Sequence, residues 1–287
     1  KICRASTPFR IANMSEHNTI RDAADAIKGV AEAVPVYQDV VQPAAKEVGS
    51  ALQTVARTLH VLLAPVSALV WGYEKISVYV SERVAEKLKD VPSERLRAPE
   101  PNIAGPALEA LRYTGYLDEL REMYAKLLAT SIDSATAAQA HPSFVEIIKQ
   151  LSPDEARLLA YLATRYSVPM IDLRREEKNS SSGHWVVRNF TLLPYEANCL
   201  APAMGPNYLE NLQRLGIVEL REDYRLIGDS GVDLYEPLFV HPAIEAERMR
   251  IESDNTLKAK IGRNAVILTK FGAQFCAACV AESTHSR

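Results

Sequence analysis

The sequence predicts a mainly α-helical protein with a smaller β component: an N-terminal helical bundle or hairpin, followed by an α+β region. Three observations lead to this prediction. Apolar residues recur at helical spacing through residue 165, strand-like runs appear after it, and a proline-rich segment interrupts the first helices. The chain has 287 residues, 47% of them hydrophobic and 24% charged, which is the composition of an ordinary globular protein of one or two domains.

Five parts are predicted along the chain. They are a poorly ordered leader (1–19), an N-terminal helical region (20–92), an extended linker (93–106), a helical core region (107–165) and a region with an inserted hairpin and helix (166–283). The linker is predicted because "PSERLRAPEPNIAGP" has four prolines in fifteen residues.

Two helical patterns stand out in the N-terminal region. The apolar positions Ala45, Val48, Leu52, Val55, Leu59 and Leu62 alternate steps of three and four, which is typical of a helix that packs along a partner helix. The seam over 45–62 predicts either an intramolecular hairpin or self-association as a coiled coil, or binding of another protein. In "YEKISVYVSERVAEKLKDV" a second stripe, Ile76, Val80, Val84 and Leu88, predicts an amphipathic helix.

The segment 58–73, "TLHVLLAPVSALVWGY", has no formal charge. A helix needs about 20 apolar residues to cross a bilayer. This segment is slightly shorter, and Pro65 and Gly72 interrupt it. Two interpretations stay open: a kinked helix in the protein core, or a segment that docks on a membrane. The candidate membrane-engaging residues are Leu62, Leu63, Val66, Leu69, Trp71 and Tyr73, with the two aromatic rings at one end.

The stretch "SIDSATAAQAHPSFVEIIKQLSPDE" contains Ser131, Asp133 and His141, residue types of a hydrolytic site. A serine hydrolase also needs a strained nucleophile turn and an oxyanion hole, and no G-x-S-x-G motif is present. Two S-x-x-E patterns, Ser143 with Glu146 and Ser152 with Glu155, instead predict capping boxes at helix starts. We therefore expect helix ends here, no catalytic residues and no enzymatic activity.

In the last third of the chain, the spacing of the apolar residues changes from helical to strand-like. "PMIDLRREEKNSSSGHWVVRNFTLL" predicts two strands around a turn, and "GPNYLENLQRLG" a helix that ends at Gly216. "LKAKIGRNAVILT" predicts a hairpin that turns at Gly262, and "KFGAQFCAACVAES" a closing helix. "HPAIEAERMRIESDN" predicts an exposed, charged helix between them. This order of elements is typical of winged helix-turn-helix proteins.

A winged helix raises the hypothesis of DNA binding. The candidate contacts are Asn207, Asn211, Gln213 and Arg214 on the helix and Lys258, Lys260 and Arg263 on the wing. The net charge is −3, and neither half of the chain is basic, which argues against a nucleic-acid partner. We therefore favour protein docking and keep a DNA-binding regulator as the alternative.

Cofactor and metal motifs are not found in the sequence. Cys276 and Cys279 form a C-x-x-C without the second pair that a zinc site needs, so buried thiols are predicted. No phosphate-binding loop or dinucleotide fingerprint occurs. Four cysteines and the lack of a secretory signal at the start predict a cytoplasmic protein.

Four stretches together resemble the abortive infection alpha family of bacteria: "PNIAGPALEALRYT", "ELREMYAKLLATSIDSATAAQAHPSFVEIIKQLSPDEARLL", "YLENLQRLGIVEL" and "LTKFGAQFCAACV". The resemblance spans roughly residues 40–280. It implies a bacterial protein of phage defence, in which an infected cell stops growing before the phage completes its cycle. It implies no catalytic residues, cofactor or metal. The expected location is the bacterial cytoplasm, and association with the inner membrane is expected only if residues 58–73 dock on a membrane instead of packing in the protein core.

Overall fold

Helices come first along the chain and the sheet follows. The computed structural model describes residues 72–180, 182–228 and 233–280. In that part of the chain the elements are α1 (Tyr73–Leu88), α2 (Pro101–Thr114), α3 (Asp118–Ile132), α4 (Ser143–Lys149), α5 (Pro153–Arg165), β1 (Ser167–Glu177), β2 (Gly183–Phe190), α6 (Leu193–Glu196), α7 (Gly205–Arg214), β3 (Val218–Arg221), α8 (Glu236–Phe239), α9 (Pro242–Glu252), β4 (Leu257–Leu268) and α10 (Lys270–Cys279). The fold is mainly α-helical with a smaller β component, as the sequence predicts.

The helical part is built around α3. This helix contacts α1, α2 and α10, and its apolar side chains lie at the centre of the largest hydrophobic core. The stripe predicted for α1 is confirmed, since Ile76, Val80, Val84 and Leu88 are all buried. Burial of large aliphatic side chains of this kind stabilises the fold by about 1.5–3 kcal/mol per residue.

The segment predicted as a linker is only partly extended. A short 3-10 turn covers Ser93–Arg95, and Leu96 forms an isolated β-bridge with Asp133. Pro101 then starts α2, so the prediction of an extended segment over 93–106 is wrong for its second half. Proline is well tolerated in the first helical turn, where its missing N–H has no partner to lose. Residues on both sides of this segment belong to one hydrophobic core.

One of the two predicted capping boxes is present. The Ser152 hydroxyl accepts from the backbone N–H of Glu155 at 3.3 Å, and the Glu155 carboxylate accepts from the N–H of Ser152 at 2.6 Å. The box predicted for Ser143 and Glu146 is wrong. Ser143 is already the first residue of α4, and its N–H donates to Nδ1 of His141 at 3.2 Å, so the imidazole takes the capping role.

The four strands form one antiparallel sheet in the order β2-β1-β4-β3. The predicted hairpin of β1 and β2 is confirmed. The predicted hairpin at Gly262 is wrong, because residues 257–268 form one continuous strand in which Gly262 lies opposite Asp172. A turn at Gly262 would leave half of β1 without its ladder of hydrogen bonds, so the long pairing with β1 keeps the strand straight.

The two sides of the sheet have different neighbours. On one side, Val168 and Val266 pack into the core of the helices. On the other side, Ile171 packs with residues of α8 and Leu173 with Ile251 of α9. Because α8 and α9 lie between β3 and β4, this connection is much longer than a simple wing. The winged-helix interpretation stays a prediction.

Several predictions fall outside the described residues. They concern the leader (1–19), the seam over 45–62 and most of the uncharged segment 58–73, from which the structure describes Gly72 and the backbone of Tyr73, where α1 begins. Among the residues that are described, no helix combines the length and apolar character needed to span a bilayer.

Candidate binding surface on the sheet

Five side chains from three strands meet on one side of the sheet. Residues that lie opposite each other in an antiparallel pair point to the same side. Arg174 of β1 is opposite Trp185 of β2 and also opposite Lys260 of β4. Lys258 follows two residues away on β4, and the guanidinium of Arg188 reaches the Trp185 ring. We call Arg174, Trp185, Arg188, Lys258 and Lys260 the Trp185 face.

The indole of Trp185 is exposed on this face and flanked by arginines. Trp185 keeps 42% of its surface accessible, so part of the indole can contact a ligand. The guanidinium carbons of Arg174 and Arg188 lie over the indole at 5.6 and 5.4 Å from the ring centroid. These distances are within the range of cation–π attraction, which holds the two cations next to the aromatic ring.

A single buried carboxylate, that of Glu176, forms ion pairs with three of the four cations. The Glu176 side chain is only 6% exposed, and it lies 3.5 Å from each of Arg174, Lys258 and Lys260. Desolvation acts to raise the pKa of Glu176, but the three positive charges outweigh it and keep this pKa below its usual range. Glu176 is therefore ionised at neutral pH, and one negative charge faces three positive ones.

The fourth cation bridges the two edges of the sheet. A guanidinium nitrogen of Arg188 on β2 donates to Glu222, just after β3, at 2.5 Å. Arg188 also lies 3.9 Å from Asp172, a buried carboxylate that accepts from the N–H of Asn189 at 2.7 Å. The face and its partners thus combine four cations with three carboxylates, a net charge of +1 in a chain of net charge −3.

Most of the predicted DNA contacts are not on this face. Only Lys258 and Lys260 are part of it. Arg263 points to the other side of the sheet, with its guanidinium 5.0 Å from the Phe239 ring and 3.6 Å from Asp233. On α7, Asn207 and Gln213 are exposed, but Asn211 and Arg214 are engaged by their own chain. Arg174, Trp185 and Arg188 are not among the binding residues predicted from the sequence.

Helix α7 is bound to the end of α4 and the start of α5 by polar contacts. The Asn211 amide donates to the carbonyl oxygen of Gln150 at 3.1 Å and to Glu155 at 2.7 Å, while Arg214 donates to the Gln150 side chain at 2.9 Å. Two of the four side chains predicted to read a DNA groove, Asn211 and Arg214, therefore fix the helix to the rest of the protein.

Asp154 is the centre of this junction. Its carboxylate accepts from the backbone N–H groups of Leu200 and Ala201, both at 2.9 Å, from Tyr208 at 3.1 Å and from Arg157 at 2.7 Å. Burial acts to raise the pKa of Asp154, but these donors keep it below its usual range. Burial and the hydrogen bond to Asp154 raise the pKa of Tyr208 to about 12, so this hydroxyl stays protonated.

The residues that resemble a hydrolytic site have structural partners. Ser131 donates to the carbonyl oxygen of Leu128 at 2.7 Å, and Asp133 forms an ion pair with Arg95. Nδ1 of His141 lies 2.6 Å from the Ser143 hydroxyl at the start of α4. This contact between His141 and Ser143 is exposed and joins residues two positions apart, while Ser131 and Asp133 contact Leu128 and Arg95 instead of the imidazole.

The cysteines of the described residues are not reactive thiolates. Cys276 and Cys279 are buried in α10, and burial raises the pKa of Cys276 to about 12 and that of Cys279 well above its usual value. Burial, with the nearby charge of Asp154, raises the pKa of Cys199 to about 11. In the same part of the chain, no three His, Cys, Asp or Glu side chains are grouped as metal ligands.

Comparison with known proteins gives one family match. Residues 72–279 match the model of the family described as "Abortive infection alpha". A solved structure that is similar comes from an uncharacterized protein of the hydrocarbon-degrading marine bacterium Alcanivorax borkumensis SK2, with 20% identity and a TM-score of 0.35. That match covers 50% of this chain and 96% of the other. No curated protein matches the sequence.

Proposed function

The chain belongs to the abortive infection alpha family, and we propose that it is a bacterial phage-defence protein that acts by binding a partner rather than by catalysis. The observation that carries the proposal is the Trp185 face. An exposed aromatic ring among converging cations is a typical anchor for recognition, since Trp and Arg are enriched among residues that dominate binding energy.

A non-catalytic mechanism is supported by the use that the fold makes of its polar residues. Ser131, Asp133 and His141 serve helix ends and an ion pair, and the described thiols have raised pKa values. The strongest polar cluster, around Asp154, consists of satisfied hydrogen bonds that hold α7 against α5. These groups have partners within the chain and stabilise the fold.

Phage challenge of bacteria that express the protein tests the proposal. We expect Trp185→Ala to lose protection, measured as plaque formation and survival of the culture, while the protein level stays normal. Tyr116→Ala is the control, because Tyr116 is an aromatic residue that is even more exposed than Trp185, at 58% against 42%, and lies away from the sheet. Full protection by the Trp185→Ala variant would contradict a role for this surface.

We also propose that residues 58–73 engage the inner membrane as the harmful output. Its support is the uncharged run between Arg57 and Glu74, with Trp71 and Tyr73 at the end that leads into α1. Cell fractionation during infection should place the full chain with membranes, and Leu63→Glu should move it to the soluble fraction and abolish protection. A wild-type chain that never leaves the soluble fraction would refute this output.

The seam over 45–62 supports an associated proposal, self-association or docking of a protein partner. Sedimentation of the full chain and of Leu52→Glu separates the possibilities. A mass that falls on substitution indicates an oligomer held by the seam, and an unchanged monomer argues against one.

The alternative function, a winged-helix DNA-binding regulator, has weaker support. Asn211 and Arg214 of α7 are hydrogen-bonded to Gln150 and Glu155, so groove reading would require these contacts to break. Filter binding with duplex DNA at low salt tests it, and submicromolar affinity that is lost in Gln213→Ala would favour the regulator.

A further inference from the structure

We infer that the Trp185 face binds single-stranded nucleic acid, with a base stacked on Trp185 and phosphates held by the lysines and arginines around it. The inference rests on the proposed function only in using the same surface, and it names the chemical class of the partner. It differs from the regulator hypothesis in surface and ligand, because it involves neither α7 nor a duplex.

The first argument is the combination of an exposed indole with two guanidinium groups. Proteins that bind single strands stack unpaired bases on aromatic rings and on arginine planes. Trp185 offers such a ring, 42% exposed, with Arg174 and Arg188 within 5.6 Å of its centroid. Both kinds of stacking group are therefore next to each other before any ligand binds.

The second argument is the charge surplus over Glu176. This carboxylate is shared by Arg174, Lys258 and Lys260, so it cannot neutralise all of them. When one lysine turns to a phosphate, Glu176 still has two positive partners, and the buried carboxylate is not left unpaired. The lysine side chains are 46% and 64% exposed, so they can reach a ligand without a change in the sheet.

The other anionic partners fit these features less well. A duplex keeps the faces of its bases stacked and leaves the indole without a partner. An acidic peptide provides carboxylates for the cations, but its charged side chains bring no ring for the indole, whereas every nucleotide carries a base beside its phosphate. An anionic membrane is bound by surfaces that combine cations with several apolar side chains, and the Trp185 face contains one aromatic residue among four cations.

Fluorescence anisotropy of the full chain with a labelled, mixed-sequence oligonucleotide of about 16 nucleotides tests the inference at low salt. We expect Trp185→Ala to weaken binding about tenfold and Trp185→Phe to keep most of the affinity, because a phenyl ring still stacks. The double variant Lys258→Gln/Lys260→Gln should reduce the slope of log K against log salt by about 1.4, as expected for two lost phosphate contacts to a single strand.

Matched controls separate this surface from general charge. Lys149→Gln/Lys270→Gln removes two lysines elsewhere, and Tyr116→Ala removes an exposed ring elsewhere, so both should bind as the wild type does. Thermal melting of each variant checks that the fold is kept.

Three results would overturn the inference: no binding of single strands at low salt, equal loss in the control variants, or preference for duplex DNA, polyglutamate or anionic phospholipid vesicles. If Trp185→Ala abolishes phage protection while the wild type binds no oligonucleotide, the proposed function stands and the partner class is wrong. If oligonucleotide binding depends on Trp185 but protection does not, the inference stands and the proposed function fails.

Discussion

Helix α7 and the Trp185 face both carry polar and charged side chains on the outside of the fold, but they use them differently. On α7, Asn211 and Arg214 bind Gln150 and Glu155 of the same chain. On the Trp185 face, Lys258 and Lys260 share one carboxylate with Arg174. The first region has its hydrogen bonds satisfied, and the second keeps a surplus of positive charge.

This difference shows that residue type does not tell whether a side chain is available to a partner. Arg214 lies on the helix that resembles a recognition element, yet its donors are occupied by Asn211 and Gln150. Trp185 lies on an edge strand, but it has an exposed ring and two neighbouring cations. The α7 contacts should therefore matter for stability, and the Trp185 face for binding.

The largest effect is expected at Asp154. Replacing it with alanine leaves the N–H groups of Leu200 and Ala201 without their acceptor at a partly buried junction, and we expect a loss of about 2–3 kcal/mol of unfolding free energy. Urea denaturation measures it. Asp118→Asn is the control, because the Asp118 side chain is 74% exposed and its pairing with Arg121 should contribute no more than about 0.5 kcal/mol.

If Asp154→Ala and Asp118→Asn have similar stabilities, the junction is not the anchor of α7. If Asp154→Ala also changes oligonucleotide affinity at a temperature where it remains folded, the two regions are coupled, and the contrast drawn between them fails.

Acid should weaken the same junction by a smaller amount, because a protonated carboxyl keeps part of its hydrogen bonding. The pKa of Asp154 is lower in the folded protein than the value of about 3.9 in an unfolded chain. Its contribution is therefore complete well above pH 4 and is lost as the pH falls through about 4 towards the folded pKa. We expect the urea midpoint of the wild type to fall more steeply below about pH 5 than that of Asp154→Asn.

Asp133 also has a lowered pKa, because its hydrogen bonds with Arg95 and the N–H of Ala135 outweigh the effect of burial. Part of the acid dependence should consequently remain in Asp154→Asn and become smaller when Asp133 is replaced as well, with a remainder from other carboxylates of lowered pKa such as Glu176. Identical acid dependence in the wild type and Asp154→Asn would mean that the junction does not respond to this carboxylate.

Local patterns were sufficient for much of the fold. The stripe of α1, the box of Ser152 and Glu155 and the end of α7 before Gly216, which has a φ of 73°, depend on residues close in sequence. The hairpin predicted at Gly262 failed because its local signal, a glycine between basic residues, competes with a ladder to β1 about ninety positions earlier. Strand pairing between residues so far apart in the sequence cannot be predicted from one short stretch of residues.

The binding surface could not be predicted for the same reason. Arg174, Trp185 and Lys260 come from three strands, and only the register of β1 with β2 and β4 brings them together. A weak signal exists in the hairpin, where a run of charged residues, "RREEK", precedes "NSSSG" and a tryptophan follows it. Asn211 was predicted to contact a nucleic acid, and its partners in the fold, Gln150 and Glu155, lie more than fifty positions away in the sequence.

Asn211 gives the next effect in size. Its amide makes two hydrogen bonds, to Gln150 and Glu155, so Asn211→Ala should cost about 1 kcal/mol in unfolding free energy. Asn207→Ala on the same helix is exposed and should change it by less than about 0.5 kcal/mol. Neither variant should alter oligonucleotide binding. A loss of binding in Asn211→Ala alone would indicate that α7 contacts the nucleic acid.

The smallest effect is expected at Glu222, the exposed carboxylate that pairs with Arg188 across the sheet edges. Its replacement by glutamine removes a negative charge next to the Trp185 face and frees the guanidinium for a phosphate. Exposed ion pairs contribute about 0.2–1 kcal/mol, so we expect single-stranded oligonucleotides to bind Glu222→Gln roughly two- to fivefold more tightly at low salt. The gain should shrink as salt is added.

Glu219→Gln is a demanding control, because Glu219 is also exposed, also paired with an arginine at 2.9 Å, and lies only three positions earlier. It belongs to β3 on the other side of the sheet, opposite Ile267, whereas Glu222 follows the strand and reaches Arg188. If only Glu222→Gln binds the oligonucleotide more tightly, the ligand lies next to the ion pair of Glu222 and Arg188 on the Trp185 face. Equal gains in both variants would mean that the oligonucleotide responds to net charge alone, and the contrast between an occupied helix and an available face would lose its basis.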